Sequence, residues 1–227
     1  MKNKHLLPIC AALLSVPLVL FLQLAFAKDT EKVAYLTFDD GPTLNTPEII
    51  DILDRYNAKA TFFVLEERIS MYPDFTRRIV SGKHAIGLHG ISHSQSIYST
   101  ETAPLYEMEK TNATLENITG IRSKLVRVPF GSGYRLTAAQ SRHLRKKGYI
   151  IWDWNVDPRD SVGKIIPEKI LGNMKKDLSK CTATPVILFH DRKSTAKLLP
   201  AVLDYLTKEG YTMLPISEKQ PPVCQTG

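Results

Sequence analysis

Short apolar runs and amphipathic helical patterns alternate along this chain. The apolar runs lack in–out alternation, which is typical of strands buried on both faces of a parallel sheet. Strands are predicted at residues 33–38, 60–65, 85–88, 125–129, 149–156, 185–189 and 211–215. Helices are predicted at residues 46–53, 73–80, 105–118, 137–147, 167–178 and 194–210. These β–α repeats predict an α/β fold with a closed or nearly closed barrel, in preference to an open doubly wound sheet.

Capping residues mark where several helices begin. Thr46 is a predicted N-cap, and Pro47 suits the first helical position after it. Thr137 is expected to cap the helix that stops at Gly148, and Ser194 to cap the last helix.

The first 27 residues have the pattern of an export signal. Two lysines precede a long apolar run, and Ala25-Phe26-Ala27 has the small-x-small form of a cleavage site. The run is also about long enough to span a bilayer, so an uncleaved anchor is the alternative. Pro17 and Gln23 interrupt the run and favour cleavage. We expect an exported protein, secreted or associated with the cell wall or membrane, in which residues 28–227 form one domain. Membrane attachment is expected only if the segment stays uncleaved.

Charge and cysteine content narrow the classes of partner. The formal net charge of +7 at pH 7 suits an anionic surface such as a cell wall, although simple solubility explains it equally well. The basic cluster at residues 142–147 is short and lacks interleaved aromatic side chains, so we expect no nucleic-acid partner. Cys181 and Cys224 either pair in an oxidising compartment or remain free.

Polar residues follow the carboxyl ends of several predicted strands. In a parallel barrel these ends share one face, where the loops after the strands build active sites. Residues far apart in sequence are therefore expected to converge there: Asp39 and Asp40, His89, Arg127, residues 157–160 and His190.

Asp40, His89 and His93 form a candidate metal site. The two histidines are four residues apart, so on a helical turn their rings would share a face. One carboxylate and two imidazoles leave coordination positions open, as hydrolytic sites require. Zinc is the favoured divalent metal, with cobalt or nickel as alternatives. Asp39 would then face the substrate, whereas the competing interpretation is an Asp-Gly-Pro turn whose carboxylates cap backbone amides.

His190, Arg127 and the 157–160 segment are candidates for the remaining chemistry. His190 emerges from a buried strand and could donate a proton to a leaving group. A carboxylate of the 157–160 segment could raise its pKa, and Arg127 could orient another carboxylate. The alternatives are a structural histidine, a turn ion pair and a rim salt bridge.

Five motifs, in order, resemble those of the polysaccharide deacetylases of carbohydrate esterase family 4, which contain the NodB homology domain. They span essentially all of residues 28–227, and the resemblance implies a distorted (β/α)7 barrel for this catalytic domain. The matching segments are Thr37-Phe38-Asp39-Asp40-Gly41-Pro42, His89-Gly90-Ile91-Ser92-His93, Arg127-Val128-Pro129-Phe130, residues 157–160 and Leu188-Phe189-His190.

The resemblance also implies a role for each matching residue. It implies that Asp39 is the catalytic base, that Asp40, His89 and His93 bind the metal, and that Arg127 orients the base.

The same resemblance covers the groups around the substrate. It implies that the backbone N–H of Phe130 helps bind the oxyanion and that His190 is the catalytic acid. Asp160 would tune that acid, and Leu188 would line the acetyl pocket.

Two positions depart from the family pattern. Ser161 follows Asp160 where a tryptophan is usual, so Trp152 or Trp154 is a candidate for that wall of the acetate pocket. Gly90 stands where a serine or threonine hydroxyl usually helps hold the loop. Neither change touches a predicted metal ligand or the acid–base pair.

We therefore expect metal-dependent removal of acetyl groups from an N-acetylglucosamine-containing polysaccharide. Peptidoglycan is the first candidate substrate and chitin oligomers the second, and the protein is expected to be a monomer. One alternative is an O-acetyl esterase of the same family that acts on xylan. Another is a glycan-binding pseudoenzyme that retains the metal without turnover.

Overall fold

The computed structural model describes residues 32–133, 135–163 and 166–224. The export signal expected at residues 1–27 lies outside these ranges and stays a prediction. Among the helices of the described ranges, none is both long and apolar enough to cross a membrane.

Parallel strands form a single sheet at the centre of the described chain. They are β1 Lys32–Gly41, β2 Ala60–Val64, β3 Ala85–Leu88, β4 Leu125–Val126, β5 Ile150–Ile151, β6 Val186–His190 and β7 Tyr211–Met213. The sheet order is β5-β4-β3-β2-β1-β6, and β7 pairs with the first residues of β1. β1 therefore pairs with three strands, β2, β6 and β7.

The segment from β5 to Val156 brings the two edges of this sheet together. β5 pairs with β4, and the Trp152 N–H still donates to the Val126 carbonyl at 2.8 Å. Val156 then forms a parallel bridge with Ile187 on the far side of β6. The predicted strand at 149–156 is thus broken in the middle, because the chain has to cross from one edge to the other. The distorted (β/α)7 barrel is confirmed.

Helices follow most of the strands and cover the outside of the sheet. They are α1 Thr46–Arg55, α2 Glu66–Met71, α3 Pro73–Ser81, α4 Ala103–Thr119, α5 Ala138–Lys146, α6 Pro167–Leu178 and α7 Lys193–Lys208, with a 3-10 turn at Gln95–Tyr98. The short α2 was not predicted from the sequence because it buries a single apolar side chain, Ile69.

One of the three predicted helix caps is present. Thr137 forms a capping box with Gln140 at the start of α5. Thr46 and Ser194, by contrast, lie inside the first turns of α1 and α7 and are not N-caps. The Thr46 hydroxyl instead donates to the Asp191 carboxylate, a partner that is distant in sequence.

The alternation of side chains along the strands separates an outer apolar layer from the inside of the barrel. Phe38 of β1 stacks with Phe62 and Phe189 in the main hydrophobic cluster under the helices. The odd-numbered positions of β1 face inward, where Tyr35 joins a smaller cluster with Trp152. Asp39 lies on this inner face. Trp152 is 1 % exposed and is therefore a core residue.

Cys181 and Cys224 are both free thiols in the structure. The Cys224 Sγ lies 3.4 Å from the Ile151 carbonyl oxygen, and the Cys181 Sγ lies 3.2 Å from the Ala183 carbonyl oxygen. Of the two sequence alternatives, the structure has the unpaired one.

Candidate active site

Asp40, His89 and His93 converge at the carboxyl end of the sheet, as expected. The Asp40 Oδ1 lies 3.6 Å from the His89 Nε2 and 3.7 Å from the His93 Nε2. One ligand atom from each residue lies within 4.8 Å of the others. The Asp40 Oδ1 is buried and has no hydrogen-bond partner among the described residues. A buried carboxylate oxygen without a donor is costly, so this donor set fits a divalent cation.

The backbone reaches this geometry through left-handed residues. Asp40 has φ 70° and His93 has φ 59°. The pairing of β1 with β2 shifts register between Asp39 and Gly41, which turns Asp40 out of the regular strand. The 89–93 segment is a bend and not the helical turn expected from the four-residue spacing. The left-handed turn at His93 nevertheless brings the two ring centroids to 5.2 Å.

The surroundings of the two imidazoles suit metal binding. The His89 Nδ1 lies 2.6 Å from the Arg127 carbonyl oxygen. If this nitrogen carries the proton, it donates to the carbonyl and leaves Nε2 free to face Asp40. Burial, together with the neighbouring His89, lowers the pKa of His93. The lowered pKa favours the unprotonated His93 nitrogen that a metal requires.

Asp39 is held by a fully buried arginine, as the sequence predicted. The Arg127 Nη1 donates to the Asp39 Oδ1 at 2.9 Å and to the Thr37 Oγ1 at 2.7 Å. Its Nε and Nη2 donate to the carbonyl oxygens of Trp152 and Asp153, at 3.2 and 2.7 Å. Four acceptors thus fix the guanidinium, and the guanidinium fixes one oxygen of the carboxylate. The other oxygen, Oδ2, lies on the side of the histidines, 3.8 Å from the His89 Nε2.

His190 and Asp160 also lie together. The His190 Nδ1 is 2.7 Å from the Asp160 Oδ1, and the Asp160 Oδ2 accepts from the His190 backbone N–H and the Thr195 hydroxyl. Burial works to lower the pKa of His190. The hydrogen bond and negative charge of Asp160, with the charges of Asp39 and Asp40, outweigh it and raise that pKa. The ring therefore keeps its proton to a higher pH than an ordinary histidine.

Phe130 borders the metal site from the loop after β4. It has φ 65°, and its ring packs edge-on against His93 at 4.5 Å between centroids. The Phe130 backbone N–H donates to no acceptor within the described ranges. The loop is held by the Tyr98 hydroxyl, which donates to the Pro129 carbonyl.

Leu188 lies two residues before His190 on the inner side of β6. It is 5 % exposed, and it belongs to neither of the hydrophobic clusters formed by the described residues. Its strand position places it beside Thr37, just as His190 lies beside Asp39. All nine predicted site residues therefore lie at one end of the barrel.

Sequence reasoning missed Asp191, which braces the turn after Asp40. Asp191 is 2 % exposed and accepts hydrogen bonds from the hydroxyls of Thr43 and Thr46. A Cβ at Gly41 would lie 2.5 Å from the Asp191 Oδ2, so only glycine fits there. The available signal in the sequence was that an acidic residue directly follows His190.

Asp153 was also missed, and it supports the Phe130 loop. Asp153 is fully buried, and its Oδ1 accepts from the Ser132 backbone N–H at 2.9 Å. Its second oxygen accepts from the Ser132 hydroxyl. Trp154, the remaining candidate for a pocket wall, is half-buried, with its ring 5.6 Å from the Arg127 guanidinium carbon.

The sequence of this chain is similar to those of known polysaccharide deacetylases. The family model described as polysaccharide deacetylase matches residues 27–149. YheN of Bacillus subtilis, named as a polysaccharide deacetylase, is 38% identical over 201 residues, which cover 85% of this chain and 70% of YheN. A peptidoglycan-N-acetylglucosamine deacetylase of Bacillus cereus is 32% identical, over 79% of this chain and 67% of its own length.

A solved structure has the same fold. The crystal structure of the polysaccharide deacetylase Bc1974 from Bacillus cereus superposes with a TM-score of 0.75 and 31% sequence identity, covering 83% of this chain and 94% of that one. The chain belongs to the polysaccharide deacetylase family, the NodB-like hydrolases of carbohydrate esterase family 4.

Proposed function

We propose that this protein hydrolyses the acetamide of N-acetylglucosamine residues in peptidoglycan, with chitin oligomers as a second substrate. The observation that carries the proposal is the pairing of β1 with β6, which sets Asp39 opposite His190 beside the metal-binding triad. A proton acceptor and a proton donor thus flank a cation site. The name of the Bacillus cereus relative supports peptidoglycan as the glycan.

Asp40, His89 and His93 would hold the divalent ion, and zinc suits their mixture of oxygen and nitrogen ligands. When bound, such an ion polarises a carbonyl oxygen and lowers the pKa of water. The protein's own residues supply the remaining steps.

Asp39 is the proposed general base. Arg127 holds one of its carboxylate oxygens, so the other, on the side of the histidines, is free to take a proton from the attacking water. Thr37 and the backbone carbonyls around Arg127 keep that guanidinium in place. A buried base fixed in this way loses little entropy when it reaches the reactive geometry.

The Phe130 backbone N–H is the proposed oxyanion donor. Attack of water on the acetyl carbon places negative charge on the former carbonyl oxygen, and a fixed N–H stabilises that charge. The hydrogen bonds from Tyr98 and Ser132 keep the loop rigid. Leu188 is proposed to contact the acetyl methyl group.

His190 is the proposed general acid. The sugar nitrogen leaves as a neutral amine only if it is protonated when the C–N bond breaks. Asp160 raises the pKa of His190 and so keeps it protonated for this step. The balance is one new C–O bond, one broken C–N bond, acetate and a free amine on the glycan.

The site of action is proposed to be outside the cytoplasm. The charged start, apolar run and small-x-small motif of residues 1–27 support export, with membrane attachment only if that segment is retained. The net positive charge is compatible with an anionic wall polymer.

Acetate release from three purified glycans tests this proposal. Peptidoglycan, chitin pentamer and O-acetylated xylan should be compared with and without a chelator, using Asp39→Asn as the inactive control. We expect chelator-sensitive acetate release from peptidoglycan, and weaker release from chitin. Release from xylan alone would identify an O-acetyl esterase, and no release by metal-loaded protein from any of them would identify a pseudoenzyme.

A further inference from the structure

The backbone between His89 and His93 forms hydrogen bonds with α4 and with the start of α2. The Ile91 backbone N–H donates to the Glu107 Oε2 at 3.0 Å. The Gly90 carbonyl accepts from the Thr111 hydroxyl and from the Glu66 backbone N–H, both at 3.0 Å. Three polar contacts from neighbouring helices thus fix the peptide unit that joins Gly90 to Ile91, at a position where the usual loop hydroxyl of the family is lacking.

The Glu107 carboxylate is buried and packs closely against Gly90. It is 8 % exposed, although carboxylates are rarely buried without a specific partner. A Cβ on Gly90, which has φ 92°, would lie 2.9 Å from its Oε2, so the carboxylate fills the space against that glycine. The Thr111 Oγ1 also lies 2.8 Å from the Glu107 carbonyl oxygen, so its single proton is shared between that carbonyl and the Gly90 carbonyl.

We propose that Glu107 is a positioning residue for the metal centre, which acts by fixing the backbone between His89 and His93. His89 is already aligned by the Arg127 carbonyl, whereas His93 lies at the far end of the bend in a left-handed conformation. The contact with Ile91 lies midway between them and sets where the His93 ring arrives. The inference rests on the metal site of the proposed function and concerns its affinity, not its chemistry.

Metal affinity, measured directly, tests this role. Dissociation constants for Zn²⁺ and Co²⁺ should be determined by chelator competition for Glu107→Ala, Glu107→Gln and Glu107→Asp. Partners outside the ligand shell are typically worth about 10- to 100-fold in affinity, and we expect about 10-fold weaker binding for Ala because it leaves no acceptor for Ile91. Gln retains an acceptor oxygen at the same reach, so its affinity should stay within about 3-fold of the wild type.

The Asp variant keeps the charge and shortens the side chain by about 1.5 Å. It should bind metal nearly as weakly as the Ala variant, and it serves in place of Ala if that variant fails to fold. Glu116→Ala is the matched control, because Glu116 is an exposed residue of the same helix that pairs with Arg122. Its metal affinity should equal that of the wild type. At saturating metal, the kcat of each folded variant should lie within a few-fold of the wild-type value.

Wild-type affinity in both the Ala and Asp variants would overturn the inference while leaving the metal site intact. Equal weakening in Gln and Ala would also contradict it, because the acceptor would then not be the deciding group. Failure of the wild-type protein to bind either metal would instead contradict the proposed function.

Discussion

Removal of the buried Arg127 guanidinium should destabilise the fold through the carboxylate that it leaves behind. Arg127→Met keeps an unbranched apolar side chain in place of the arginine stem but removes the charge and the donors. Asp39 then stays 3 % exposed with no cation at 2.9 Å, and the Thr37 hydroxyl and the carbonyls of Trp152 and Asp153 lose a donor. Breaking one side of a buried ion pair costs about 3–5 kcal/mol. We expect a loss of about 4 kcal/mol in the free energy of unfolding.

Urea unfolding at pH 7 in the presence of chelator measures this loss without a contribution from bound metal. The double variant Asp39→Asn/Arg127→Met removes the stranded charge as well. It should therefore recover about 2 kcal/mol relative to Arg127→Met alone. Arg122→Met is the control, since Arg122 pairs with Glu109 and Glu116 at the surface and should cost under about 1 kcal/mol. Strict additivity of the two single changes would refute the stranded-charge explanation.

Three further predictions follow from groups around the site and in the core. Asp160→Asn should lower the pKa of His190, so the basic limb of the kcat/KM profile should move to lower pH, because the acid form is lost sooner. Burial, followed by the charge of Lys59, lowers the pKa of His84 to about 4 from the ordinary histidine value of 6.5. The unfolded chain therefore takes up this proton first, and about 3 kcal/mol of stability should be lost between pH 6.5 and pH 4. His84→Gln should remove most of that pH dependence in urea unfolding. Gly41→Ala places a Cβ 2.5 Å from a carboxylate oxygen and should cost about 1–3 kcal/mol of stability.

Each of these three predictions has an outcome that contradicts it. An unchanged basic limb in Asp160→Asn would mean that His190 is not the group titrating there. Equal acid sensitivity of wild type and His84→Gln would assign the loss to other residues. For Gly41, the comparison is Gly172→Ala, because Gly172 lies in α6 with open space around its Cβ position and alanine should be tolerated or stabilising. Equal stability of the two alanine variants would remove the steric argument.

The order of strands and helices could be predicted from the sequence because the strands are buried on both faces. Such strands leave uninterrupted apolar runs, as at residues 33–38 and 185–189, and the residue after each run lies at the carboxyl end of the sheet. That rule groups Asp39, His89, Arg127 and His190 from the sequence alone.

The predictions that were wrong concern features that depend on contacts between residues distant in sequence. Thr46 has the right chemistry for an N-cap, but its hydroxyl donates to the carboxylate of Asp191, which is distant in sequence. The 149–156 run looks like one strand, yet the chain pairs with β4 at its start and with β6 at Val156. The left-handed conformation of His93 depends on the bend between α2 and α4, which no local pattern encodes.

Anomalous diffraction at the zinc edge, from crystals grown with Zn²⁺, would show whether Asp40, His89 and His93 hold the ion. We expect one ion within about 2.0–2.2 Å of the Asp40 carboxylate and the Nε2 atoms of His89 and His93. The Asp39 carboxylate and the His190 ring should lie on either side of the open coordination positions. An ion held by other residues, or no anomalous peak at this triad, would contradict it.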